Sequence, residues 1–468
     1  MIPLEAVHGA ILLSAIVVTY VYGSARAFAW VYLPTIILIS TVPRYALPIS
    51  QIPPLTQVTS CMYGILIGIV LRGGEQFAFR WNAIDWLIVA LALSRVVTTA
   101  ITERLWTSGN TLTDVAFNWV APYLLARHMF ADVQARKHAL IAGAACCIAL
   151  VPAALVELRL RPFEYSRVLE NLGIIRSSNT FVYHRFGLFR PMLGYAHPID
   201  YGNVGVILAA MLAIFAVTAN ESLRKPWVLF GICAAAGMAV MSLSFTCHAA
   251  ILVAAGVAAG LYFFPAARAM MLPGVVLSIL LFSLLTFILL GINLDEWKVE
   301  DGSFAASFWI RTKIVQNTWA VAEGAGLFGY GRFIPSALDL DSVDNAYMLF
   351  VLRFGWVYLA LWMALILVFA HHANRALASV SKPMHRLPLI FAFAGVAGTI
   401  TAMYTVFYGF AYAVLFPQLI AIGNSICQTL LEKRTEVRAV YRGFPIEPPG
   451  RRPRGAHPLD PRRPAQLQ

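Results

Sequence analysis

Long apolar runs separated by short polar stretches fill most of the chain. Runs near 10–23, 27–42, 55–71, 83–101, 112–130, 138–157, 199–219, 227–246, 248–264, 270–291, 346–370, 387–406 and 409–430 are each long and apolar enough to be candidate membrane spans. Crossing a hydrocarbon core of about 30 Å takes ~20 helical residues, so the pattern predicts about thirteen spanning helices, within a range of about 12–14. The runs lack the apolar/polar alternation of barrel strands. In lipid each segment must satisfy its own backbone polar groups, which leaves the α-helix. The expected fold class is therefore an all-α polytopic integral membrane protein with two large extracytoplasmic loops.

Those loops are the two long interruptions, 158–200 and 292–345. Between Phe308 and Gly355 the chain reads FWIRTKIVQNTWAVAEGAGLFGYGRFIPSALDLDSVDNAYMLFVLRFG, the most polar stretch within the hydrophobic part. Arg311 to Glu323 predicts an amphipathic helix with Ile314, Val315, Trp319 and Ala322 on one side. Gly324, Gly326, Gly329 and Gly331 should end it, because they permit positive φ and close backbone approach. Asp339, Asp341 and Asp344 follow, just before the chain re-enters an apolar run at Ala346.

Composition agrees with this pattern. At 59% hydrophobic, 12% charged and a mean hydropathy of +0.72, the chain is not a set of soluble domains. The six cysteines (61, 146, 147, 233, 247, 427) all fall within apolar runs and read as small buried hydrophobes, with neither a disulfide framework nor a metal-ligand spacing. Met1 to Gly9 carries Glu5 and His8 but no Lys or Arg, so a cleaved signal peptide is not expected.

Charge then orients the helices. Arg26; Arg72 and Arg80; Arg127, Arg136 and Lys137; Arg224 and Lys225; Arg268; and Arg375, Lys382 and Arg386 all fall on one side when the spans alternate. By the positive-inside rule that side is the cytoplasm, with the N-terminus outside and the C-terminus inside. The expected organisation is N-terminal helices over 1–157, an Arg-rich outer loop over 158–200, central helices over 201–291, a large outer loop over 292–345, C-terminal helices over 346–431, and a disordered, basic, proline-rich tail over 432–468. The tail supplies much of the net charge of +12. It reads as a solvated segment that holds topology and touches anionic lipid, not as a nucleic-acid binder.

Chemistry should then lie in the outer loops. The first holds Arg159, Arg161, Arg167, Arg176, Arg185 and Arg190 on the side that the charge rule disfavours. A guanidinium binds phosphate through a planar fork and stays charged at any pH, so such a cluster points to an anionic ligand, against the plainer reading of solvated arginines. Within RFGLFRPMLGYAHPIDYG (185–202), Arg185 and Arg190 are expected at the membrane surface, and His197 is a base or phosphate contact or else a helix cap. The short turn Ser242 to His248 puts His248 near the same face. In the second loop Arg311 is a substrate-binding candidate, whereas Trp319 reads as packing. The glycine run lacks a Walker lysine or a GxGxxG after a strand, so no nucleotide is expected. The three aspartates have no EF-hand spacing, so no metal or other cofactor is expected.

Residues 180–370 resemble the O-antigen ligase and O-antigen (exopolysaccharide) polymerase superfamily of bacterial envelope proteins. The likeness rests on RPMLGYAHPIDYG before a helix, on Arg311, Trp319 and the LFGYG run, and on Asp344-Asn345 followed by nine residues and then Gly355. Ligases of the family carry a histidine where this chain has Asp344, and commonly a Ser-Arg pair where it has Ser244-Phe245. Both departures favour a polymerase. The resemblance implies metal-independent glycosyl transfer at the outer face of the bacterial inner membrane, with a donor glycan on undecaprenyl diphosphate and a glycan acceptor. It makes Asp344, His197 and His248 the catalytic candidates and Arg185, Arg190, Arg311 and Asn345 the substrate-binding ones. A ligase acting on lipid A core is the alternative. A secondary transporter is the rival from another class, although the chain shows no repeated halves.

Overall fold

The computed structural model describes residues 4–39, 45, 54–77, 79–103, 105–160, 164–171, 184–195, 197–221, 223, 225–293, 304–331, 334, 345–380, 382–405 and 410–443. The described part of every apolar run lies mostly on helix. In chain order the elements are α1 (Leu4–Tyr22), α2 (Ser24–Ala27), α3 (Leu33–Leu38), α4 (Gln57–Leu71), α5 (Ala83–Thr102), α6 (Leu105–Val115), α7 (Ala121–Ala131), α8 (Val133–Arg159) and α9 (Glu164–Asn171). A two-residue hairpin follows, β1 (His184–Arg185) and β2 (Leu188–Phe189). Then come α10 (Pro198–Thr218), α11 (Pro226–Met241), α12 (Phe245–Phe263), α13 (Pro265–Ala269), α14 (Met271–Leu290), α15 (Phe304–Ala322), α16 (Ala346–Ala378), α17 (Pro383–Thr405) and α18 (Phe410–Gly443).

Among the described residues nine helices are long and apolar enough to cross a membrane, the architecture of an all-α membrane protein. Ser24–Leu38, Gln57–Leu71 and Pro226–Met241 are shorter apolar helices. Two stretches pass through a π-helical turn, Phe28–Tyr32 between α2 and α3 and Ala116–Val120 between α6 and α7.

The bundle centres on α10, whose window is 83% buried and which packs against α8, α11, α12, α17 and α18. At the other extreme, α14 is 6% buried and has the highest share of outward-facing leucines and isoleucines, the composition of a lipid-facing helix. Close contacts through small residues replace the hydrophobic driving force that is missing between helices in lipid. A Cβ on Gly205 of α10 would stand 2.5 Å from the Ala235 carbonyl of α11, and one on Gly398 of α17 would stand 2.6 Å from the Ala250 carbonyl of α12.

Two polar residues differ from their sequence reading. Arg127 is not a loop charge but a wholly buried side chain inside α7, and Asp85, which looks in sequence like an isolated charge near a span end, is its partner. Asp85 first closes the cap of α5, accepting the Asn82 N–H at 2.8 Å, while Asn82 Oδ1 accepts the Ile84 N–H at 2.9 Å. It also accepts from Tyr123 Oη at 2.7 Å and Asn424 Nδ2 at 3.2 Å, and Arg127 donates to it and to Gln428 Oε1. Every lone pair is used, which is the condition under which a buried ion pair is tolerated; removing one partner costs about 3–5 kcal/mol.

The amphipathic helix of the second loop is present as α15, but it starts at Phe304 rather than Arg311. Val315 and Ala322 are buried on it, and Ile314 and Trp319 half-buried. It ends where expected, in a tight turn at Glu323–Ala325 and then Gly326 at φ 62°.

Candidate functional site

The segment between α9 and α10 is held by a residue that the sequence reading passed over. Glu157, in the last turn of α8, accepts the backbone N–H groups of Met192 at 2.9 Å and Leu193 at 3.1 Å through one carboxylate oxygen, and that of Tyr165 at 3.0 Å through the other. Successive N–H groups converging on one anion form a backbone nest, made here with Leu193 at φ 46° and Gly194 at φ 78°. Tyr195 Oη and Tyr165 Oη donate to the Ile37 and Leu38 carbonyls at 3.0 and 2.9 Å, completing the exposed end of α3. The signal in sequence was a single carboxylate at the end of an otherwise apolar run.

Three of the sequence candidates meet on one turn. Arg190 Nε donates to the Ser242 carbonyl at 2.9 Å, Arg185 donates to the Leu243 carbonyl at 3.0 Å, and His248 Nε2 donates to the Val240 carbonyl at 2.9 Å. These are the carbonyls at the C-terminus of α11, where a helix presents unsatisfied acceptors and negative partial charge. Ser242 Oγ donates to the Ala239 carbonyl at 2.7 Å and fixes the turn, and Leu243 takes φ 49°. The turn can sit on α10 only because residue 202 is glycine: a Cβ there would stand 2.5 Å from Cys247 Sγ and 2.6 Å from Ser242 Oγ. A guanidinium carries five donors, so an arginine that holds a carbonyl can still offer N–H groups to an anion.

His197 is the N-cap of α10, its Nδ1 accepting the Ile199 N–H at 3.1 Å. In the neutral ring the proton is then on Nε2. Burial, together with the Arg190 charge, pushes its pKa down to about 4. His248 has the opposite tautomer: with Nε2 donating, the neutral ring carries its lone pair on Nδ1, the position from which a base acts.

In the segment between α15 and α16, Asn345 caps α16, its Oδ1 accepting the N–H groups of Tyr347 at 3.0 Å and Met348 at 3.2 Å. Asp344, Asp339 and Asp341 lie outside the described residues, and Arg311 is placed only as backbone on α15, its side chain outside them too. The glycine run folds back onto the break in α16. Tyr330 N–H donates to the Leu352 carbonyl at 2.7 Å and Gly331 N–H to the Arg353 carbonyl at 3.0 Å, while Trp356 and Val357 N–H groups donate to Gly326 and Leu327. Gly355 stands at φ 82°, so α16, about 50 Å long at 1.5 Å per residue, is two pieces, 346–354 and a second piece long enough to span. A Cβ on Gly329 would lie 2.6 Å from the Arg353 carbonyl carbon.

Beside this second segment opens a cavity of about 600 Å³ between α12, α14, α16 and α17. Its walls are overwhelmingly apolar, among them Val257, Ile279, Phe282, Met348, Trp362 and Ile400, and it reaches Asn345 and Trp319 at one end. Tyr347 Oη, two residues after Asn345, donates to the Ile400 carbonyl of α17 at 3.1 Å, and Ala402 packs with Cys247 and Ala250 at the start of α12, so that end is also the end of the Ser242 turn. Among the described residues no group of three or more His, Cys, Asp or Glu side chains is placed to hold a metal ion.

Comparison of the chain with models of protein families and with curated proteins finds no match.

Proposed function

We propose that the chain is a lipid-linked oligosaccharide glycosyltransferase of the bacterial inner membrane, joining undecaprenyl-diphosphate-linked repeat units at the outer face into an exopolysaccharide, capsule or O-antigen chain. The observation that carries this reading is the apolar cavity that ends at Asn345 on the same end of the bundle as the arginine-clamped turn. A polyprenyl diphosphate has these two parts, an apolar chain and an anion at its end. In glycosyl transfer the diphosphate leaves and gains negative charge, and fixed cations beside it stabilise that charge more in the transition state than in the ground state. Arg185, Arg190 and Arg311 are assigned to the diphosphate. The His197 Nε2–H is a further donor.

The acceptor hydroxyl needs a base, a contribution of about 10²–10⁴-fold. Asp344 and the His248 Nδ1 are the assigned candidates. In this reading the basic connections face the cytoplasm and the 158–200 and 292–345 segments face out, with about 12–14 spans.

Deleting the gene in its host tests the proposal. The expected result is loss of long glycan chains with accumulation of single lipid-linked repeat units at the outer leaflet. Accumulation of long lipid-linked polymer that fails to reach lipid A core would instead identify a ligase. Repeat units trapped at the inner leaflet would identify a transporter.

A further inference from the structure

At the opposite end of the bundle from the Ser242 turn lies a second cavity, of about 870 Å³, between α7, α8, α17, α18 and the end of α10. It differs from the first in chemistry. Arg80, Arg127 and Arg136 line it with His385, Gln428 and Asn220, and Glu432 is the carboxylate among its lining residues.

The three arginines are not equivalent. Arg127 is committed to Asp85 and Gln428, and its guanidinium stands 4.6 Å from the Phe79 ring centroid. Arg136 is held instead against the Phe130 ring, at 5.0 Å, and its Nε is buried without a hydrogen-bond partner among the described residues. The nearby Asp132 uses a carboxylate oxygen to cap α8, accepting the Gln134 N–H at 2.8 Å. Glu432 accepts from Gln428 Nε2 at 3.1 Å. Arg80 is exposed, at the rim. A buried donor without an acceptor costs free energy that a ligand oxygen recovers, and guanidinium groups match phosphate oxygens in geometry as well as charge. Basic pockets between helices at the cytoplasmic surface suit the headgroups of anionic lipids.

We infer that this cavity is a binding site for a phosphate group, with Arg136 and Arg80 as its ligands and Arg127 as the fixed charge behind them. It is separate from the proposed transfer site, being at the other end of α10. The phosphate can come from the headgroup of an anionic phospholipid or from phosphate in solution, and one experiment distinguishes the two.

Purified full-length protein in a neutral detergent is titrated with phosphatidylglycerol, phosphatidylcholine or inorganic phosphate, and its thermal midpoint is followed. A rise with phosphatidylglycerol but not with phosphatidylcholine or inorganic phosphate identifies a lipid site, and a rise with inorganic phosphate alone identifies a soluble one. In R136Q the concentration needed for the rise should increase at least about tenfold, the scale of one lost charge-assisted hydrogen bond. R80Q, at the exposed rim, guards against a folding defect in R136Q and should raise that concentration too. The inference is overturned if neither phosphatidylglycerol nor inorganic phosphate raises the midpoint more than phosphatidylcholine does, or if both variants respond as the unmodified protein does.

Discussion

Met192 donates its backbone N–H to the carboxylate of Glu157 over 2.9 Å, a contact between residues 35 apart in sequence that joins the arginine-bearing segment to the end of α8. Leu193 and Tyr165 donate to the same carboxylate, so three backbone groups depend on one side chain. We predict that Glu157→Ala, which leaves those donors unsatisfied, destabilises the protein by about 1–3 kcal/mol. Limited proteolysis near the exposed Phe186 should quicken, and unchanged proteolysis would show that the segment is held elsewhere.

Arg185 and Arg190 reach the turn at the end of α11 from a hairpin, whereas Arg159 is exposed and Arg167 pairs with Glu164 on its own helix at 3.5 Å. Lysine keeps charge but loses the fork. Arg185→Lys and Arg190→Lys are expected to shorten or abolish the glycan chains in a strain whose only copy carries the change. Arg159→Lys and Arg167→Lys should not. Equal tolerance at all four positions would remove the diphosphate-binding role.

His197 predicts a pH dependence. Its pKa falls from the ordinary 6.5 to about 4 on folding, so between those values the unfolded chain binds the extra proton. The sign follows: stability is full above about pH 6.5 and declines as pH falls toward 4, because the unfolded chain gains a proton that burial and the Arg190 charge keep off the folded one. Asparagine caps a helix well and does not titrate. The difference in thermal midpoint between unmodified protein and His197→Asn should therefore narrow or reverse on acidification across that window. A constant difference would mean that His197 is solvated.

Asn345 and Asp344 are now separable. Asn345→Ala removes the cap of α16 and is expected to cost about 1 kcal/mol without ending catalysis. Asp344→Asn leaves that cap in place and removes a carboxylate, and we predict loss of polymer at unchanged protein level. Polymer of ordinary length from Asp344→Asn would move the base to His248.

Topology has its own test. In a variant whose exposed Cys233 is replaced by alanine, single cysteines at positions 177 and 303 should react with an impermeant reagent in intact spheroplasts, and one at Ser379 should not. Labelling at Ser379 would reverse the assignment of faces.

Helices were legible because apolar runs of this length admit little else, and the stop of α15 was legible because four glycines follow it closely. Its start was not, since Ser303 and Ser307 both offer caps ahead of Arg311 and the sequence does not choose between them. The π-helical turns at Phe28–Tyr32 and Ala116–Val120 were hidden, because an extra residue in a turn is a matter of what packs against it. In the site, the arginines and histidines could be named but not their shared target: Val240, Ser242 and Leu243 contribute carbonyls, which every residue has. The pairing of Arg127 with Asp85 was missed for a similar reason, their 42-residue separation concealing that each is the other's solvent.

The fold-back of the glycine run on α16 is made by backbone alone, with carbonyls and N–H groups of 326–331 meeting those of 352–357. These hydrogen bonds ask nothing of the side chains at Leu327 and Phe328, whereas they fix the spacing of the whole run. Homologous chains should therefore drift freely at Leu327 and Phe328 yet accept neither an insertion nor a deletion between Gly326 and Gly331, and a one-residue change of length there should be as damaging as a substitution at Gly355.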